Sequence, residues 1–110
     1  MNLPSIQQIT AEKVLEALNK KQTFFLLDVR TTEEYNKGKI EGSINLPVSE
    51  VQNKISTLIP DKNKVIFVYC LSGSRSDMAT AVMTALGYTN VFSMTNGLLM
   101  WRSKKYPLVG

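Results

Sequence analysis

The chain has 110 residues, 44% of them apolar and 20% charged, with 13 basic against 9 acidic side chains and a formal net charge of +4. That is the size and composition of one globular domain, long enough to bury a core without disulfide or metal staples. One cysteine and no histidine exclude an intramolecular disulfide, a Cys/His zinc cluster and a Cys–His catalytic dyad.

The opening residues MNLPSIQQITAEKV carry no basic region followed by an apolar core, so no secretory signal is expected. No stretch approaches the ~20 apolar residues that cross a bilayer, and a soluble, cytoplasmic protein with no membrane partner is expected. SIQQIT (5–10) reads as a short edge strand. From Ala11 the residues Val14, Leu15 and Leu18 recur at helical spacing, with Thr10 as N-cap. FFLLDV (24–29) is a continuous apolar run ended by charge, as for a strand covered on both faces. TTEEYNKG (31–38) reads as a short helix in which Thr31 and Glu34 form a capping box and Gly38 a stop. SINLP (43–47) is a brief strand. Val51, Ile55, Leu58 and Ile59 line one side of a helix that Pro60 closes. VIFVY (65–69) is the clearest strand, and the helix after it offers Met78, Ala79, Val82, Ala85 and Leu86 to the core until Gly87. VFSM (91–94) is a last strand and 98–105 a last helix. The basic runs KNK (62–64) and RSKK (102–105) are short and read as solvated surface, so no nucleic-acid partner is expected.

Strands alternating with helices predict a three-layer α/β domain over residues 1–110, with a mostly parallel sheet of roughly four to five strands and helices on both faces. Ligands of such sheets bind beyond the carboxyl ends of the strands. That rim receives Asp28 and Arg30 after one buried strand and Cys70 after another.

In VIFVYCLSGSRSDMA (65–79) the single thiol lies where a strand ends and a helix begins. Unpaired amides and the helix dipole favour negative charge at such a position, hence the thiolate. Gly73 lets the chain turn. Ser72, Ser74 and Ser76 are small enough to leave amides exposed, and consecutive amides form an anion nest. Arg75 adds a charge that does not titrate away. Cys70 could also be a small apolar residue ending a core strand, but a core cysteine needs neither the glycine, the serines nor the arginine. The residues alone leave open a sulfur-transferring enzyme, a persulfide-carrying module and a cysteine-dependent phosphatase or arsenate reductase.

CLSGSRS (70–76) resembles the active-site loop of rhodanese-type sulfurtransferases, Cys-x-x-Gly-x-Arg-Ser after a buried strand. LLDVRTTEEYNKGKIEGSINLP (26–47) is similar to that family's Asp-Val-Arg, Glu-Tyr and Gly-His-Ile-Pro-Gly-Ala-Asn-Pro stretch, and NGLLMWRSKKYPL (96–108) to its closing segment, with Gly97, Trp101 and Pro107 in place. The sequence departs from the pattern at Lys39, Glu41, Ser43 and Asn96, where the family often has His, Pro, Ala and Gly. The resemblance implies a thiosulfate sulfurtransferase working through a Cys70 persulfide, with Leu71, Ser72, Gly73, Ser74 and Arg75 as the loop that holds the sulfur. It implies no cofactor and no metal. Its partners would be a small anionic sulfur donor and, as acceptor, cyanide, a thiol or a sulfur-carrier protein; a monomer is expected. Four residues separate Cys70 from Arg75, one fewer than in the phosphatases, a ring suited to a single sulfur rather than a tetrahedral oxyanion. Arg75 has two candidate roles, orienting the donor or bracing the loop. Asp28 and Arg30 are candidate rim residues whose plainer role is to fix the strand end. Trp101 reads as a packing anchor, and Leu71 with Met100 as a candidate apolar lip.

Overall fold

The computed structural model describes residues 5–110; the first four residues of the N-terminal reading lie outside them. The elements alternate as the sequence predicts: β1 Gln8–Ile9, α1 Ala11–Asn19, β2 Phe25–Asp28, α2 Thr32–Asn36, β3 Ile44–Asn45, α3 Val48–Leu58, β4 Ile66–Tyr69, α4 Ser74–Ala85, β5 Val91–Met94 and α5 Gly97–Ser103. The five strands form one parallel sheet in the order β1-β5-β4-β2-β3. Outside it, Lys39 and Val109 make an antiparallel bridge that ties the C-terminal tail to the turn before β3. None of the helices described is long and apolar enough to cross a membrane.

The apolar runs in β2 and β4 are continuous because the sheet is covered on both faces, and successive side chains alternate between two cores. Leu27, Val29, Ile66, Val68 and Cys70 pack with α3 and α4. Leu26, Phe67 and Tyr69 pack with α1 and α5. Cys70 therefore continues the β4 alternation and emerges on the α4 side, under the start of the helix that follows it. Thr10 accepts from the Lys13 amide as the N-cap of α1, and the Thr31–Glu34 capping box of α2 is complete.

Two expectations about core faces are corrected. Leu58 is 38% exposed whereas Val51, Ile55 and Ile59 are buried; β3 has only two residues and the sheet stops before covering that flank of α3. On α4, Met78 is 61% exposed and Ala85 is also exposed, while Ser76, Ala79, Thr80 and Met83 are buried. The inward face is set by Ser76, whose amide meets the Cys70 sulfur, so the buried stripe runs through two hydroxyl residues. An apolar periodicity cannot register such a stripe.

Candidate active site

Cys70 is fully buried at the carboxyl end of β4. Its Sγ accepts hydrogen bonds from the amides of Gly73 at 3.1 Å and Ser76 at 3.3 Å. Gly73 is the N-cap of α4 with φ 111°, a conformation that an L side chain rarely adopts. This is what turns its amide back onto the sulfur. The amides of Leu71, Ser72, Ser74 and Arg75 make no hydrogen bond among the described residues, and they surround the same junction.

Behind the sulfur lies a hydroxyl pair. Ser76 Oγ sits 3.6 Å from Cys70 Sγ and 2.7 Å from Ser93 Oγ, and donates to the Gly73 carbonyl at 3.0 Å. Cys70, Ser76 and Ser93 are without solvent exposure, and Gly73 is buried as well. The loop is pinned from the other side by α5. The Leu98 amide donates to the Cys70 carbonyl at 2.9 Å and the Leu99 amide to the Leu71 carbonyl at 3.0 Å. Gly97 allows this approach: a Cβ there would stand 2.5 Å from the Cys70 carbonyl oxygen and 2.6 Å from that of Leu71.

Arg75 lies at the rim in a two-point ion pair with Glu34, Nη1 to Oε1 at 2.7 Å and Nη2 to Oε2 at 3.1 Å. Glu34 also accepts from the Thr31 amide. The Arg75 hydrogen bonds, with those of Thr31, hold the Glu34 carboxyl down at about 2 against its desolvation. The same bond from Glu34 raises Arg75.

Asp28 and Arg30 form a second, buried pair. Asp28 Oδ1 accepts from the Arg30 amide at 2.9 Å and Oδ2 from Nη2 at 2.7 Å. Nη2 also donates to the Gly38 carbonyl. Asn45 Nδ2 bonds the carbonyls of both Asp28 and Arg30. Burial opposes the Arg30 charge, and the Asp28 hydrogen bond and charge outweigh it, leaving Arg30 raised. Beside them the Tyr69 hydroxyl donates to Ser43 Oγ and accepts from the Ile40 amide. Burial and then the Asp28 charge push that phenol above its ordinary range. Ser43, where the resembling family often has Ala, thus closes a buried hydrogen-bond set.

The fold brings Asp28–Arg30 and Cys70–Arg75 to one rim: Asp28 pairs in register with Tyr69, and the Val29 amide donates to the Tyr69 carbonyl. Trp101 is fully buried with Nε1 on the Pro107 carbonyl, a packing anchor. Leu71 and Met100 are half-buried and Leu99 is 53% exposed. Sequence reasoning placed Glu34 in the capping box and missed its bond to Arg75. It also missed Ser93, whose one signal was a hydroxyl inside the apolar run VFSM.

Residues 10–104 match the model of the rhodanese-like domain. A thiosulfate sulfurtransferase of Escherichia coli, PspE, is 42% identical over 59% of this chain and 62% of its own length; the match thus spans less than two thirds of that relative. A sulfurtransferase of Allochromatium vinosum is 30% identical over 94% of this chain and 95% of its own. The crystal structure of a rhodanese-related protein from Thermoplasma volcanium superposes with a TM-score of 0.82 at 32% identity, covering 94% of this chain and 97% of the other. The chain belongs to the rhodanese-like domain family.

Proposed function

We propose that the protein is a sulfurtransferase that carries sulfane sulfur on Cys70. The observation that carries the reading is the pair of amides, Gly73 and Ser76, donating to Cys70 Sγ at the start of α4. Amides so placed stabilise a sulfur anion without histidine. In the first half-reaction the Cys70 thiolate attacks the outer sulfur of thiosulfate. The new S–S bond forms as the donor's S–S bond breaks, and sulfite leaves with the electron pair. The terminal sulfur of the persulfide then takes the free amides of Leu71, Ser72, Ser74 and Arg75. In the second half-reaction a thiophilic acceptor (cyanide, a thiol or the thiol of a sulfur-carrier protein) removes that sulfur and regenerates the thiolate. Arg75 braces the loop through Glu34, and Asp28 with Arg30 fixes the neighbouring strand end. The sulfurtransferase names of the two relatives support the reaction class. Steady-state transfer from thiosulfate to cyanide tests the cycle: wild type turns over and Cys70→Ser does not. Hydrolysis of a phosphate ester in place of sulfur transfer would contradict it.

A further inference from the structure

Each arginine at the rim is matched by a carboxylate. The Arg30 side chain is 3% exposed and held by Asp28, so no donor reaches its guanidinium. Arg75 remains accessible, its side chain 31% exposed beside a Glu34 that is 32% exposed, and both ends of its guanidinium are taken by the two oxygens of that carboxylate. The loop offers a sulfur its amide dipoles, and the rim beside it offers no uncompensated arginine. Its flank is apolar: Leu99 is 53% exposed, is tied through its amide to the Leu71 carbonyl, and is followed by half-buried Met100.

Resting on the reading of Cys70 as the sulfur acceptor, we propose that Glu34 is a specificity-determining residue. By cancelling the Arg75 charge it weakens selection of dianionic donors and tilts the site toward sulfane donors that carry one negative charge and an apolar group. Thiosulfonates, R–SO2–S⁻, have that chemistry. The Cys70 thiolate attacks their terminal sulfur, the S–S bond to the sulfonyl group breaks, and a sulfinate leaves with the electron pair. The products are the Cys70 persulfide anion and R–SO2⁻, with no other reagent required. The extra charge of thiosulfate gains nothing from a neutral rim, whereas a methyl or aryl group meets Leu71, Leu99 and Met100.

The test compares kcat/KM for thiosulfate and methanethiosulfonate, with cyanide as acceptor, at low and high ionic strength. In Glu34→Gln the carbonyl oxygen of Gln still caps Thr31, and Arg75 becomes an uncompensated cation. The thiosulfate-to-methanethiosulfonate ratio rises about threefold at low salt, the scale of one unit charge acting on one further donor charge through water, and the gain disappears at high salt. In Arg75→Gln the ratio falls, and the double variant returns to the wild-type ratio. A ratio that is unchanged or lowered in Glu34→Gln overturns the proposal. The wild type supplies a readout free of substitution: its thiosulfate kcat/KM is nearly independent of ionic strength, and a steep fall with salt overturns the proposal even where the variants fail to fold. Wild type that takes sulfur from neither donor would instead overturn the sulfurtransferase reading itself, so the two failures are distinct.

Discussion

Ser76 meets Cys70 twice, through a backbone amide 3.3 Å from Sγ and a hydroxyl oxygen 3.6 Å from it. The amide fixes where the sulfur sits. The hydroxyl, backed by Ser93 at 2.7 Å, fills the space behind it. One residue of α4 therefore sets both the position of the thiol and the inward face of the helix.

Removing one member of the hydroxyl pair leaves the other buried with fewer partners. Ser76→Ala is expected to cost about 1–3 kcal/mol, the penalty of an unsatisfied buried hydroxyl at Ser93, and to slow persulfide formation. Ser76→Ala with Ser93→Ala removes both groups and is expected to be more stable than the Ser76→Ala single variant. Urea denaturation of the singles and the double reads this coupling; strict additivity would mean that the two hydroxyls do not interact.

Gly97→Ala places a methyl against two backbone carbonyls that belong to the loop itself, at a φ of 51°. Neither acceptor is the end of a flexible side chain, so the loop or α5 must move. The expected loss is about 2–4 kcal/mol from backbone strain and overpacking, with persulfide yield falling in parallel. Thermal melts and sulfur loading measure both. A variant of wild-type stability would show that α5 does not press on the loop.

The Glu34–Arg75 pair makes stability depend on acid pH. The folded Glu34 value of about 2 lies below its ordinary 4.5. The unfolded chain therefore binds the proton first as pH falls, and the contribution is complete above about 4.5 and lost on acidification toward about 2. Solvent exposure of both side chains keeps its amplitude small. Glu34→Gln should flatten the stability profile across that window, as followed by urea midpoints against pH. An identical slope in wild type and variant would rule the pair out as its source.

Asp28→Asn strands the buried Arg30 guanidinium without its carboxylate. Breaking a buried pair from one side costs about 3–5 kcal/mol, and the register of β2 beside β4 should loosen with it. Replacing both partners by apolar residues should recover part of the loss. Chemical denaturation decides the matter, and a loss below about 1 kcal/mol would mean that solvent reaches Arg30.

The strand and helix pattern was legible because each signal was local. The Thr31–Glu34 capping box, the apolar runs of β2 and β4 and the strand–Cys70–helix junction all lie within a few residues of sequence. The contacts that define the site are of another kind. Glu34 reaches Arg75 across 41 positions and Ser76 reaches Ser93 across 17, and such pairings follow from sheet order rather than from spacing. Met78 misled because α4 is turned by hydrogen bonds to sulfur, not by burial of its most apolar residues. Gly97 was visible within a motif, while its reason, a backbone approach too close for any Cβ, needed the structure.

Every step of sulfur transfer depends on Cys70 accepting a sulfur atom. Intact mass after mixing with thiosulfate reads that step. The wild-type protein is expected to gain one sulfur, released by cyanide and absent from Cys70→Ser. No adduct from thiosulfate or from methanethiosulfonate on folded wild-type protein, or an adduct that persists in Cys70→Ser, would contradict it.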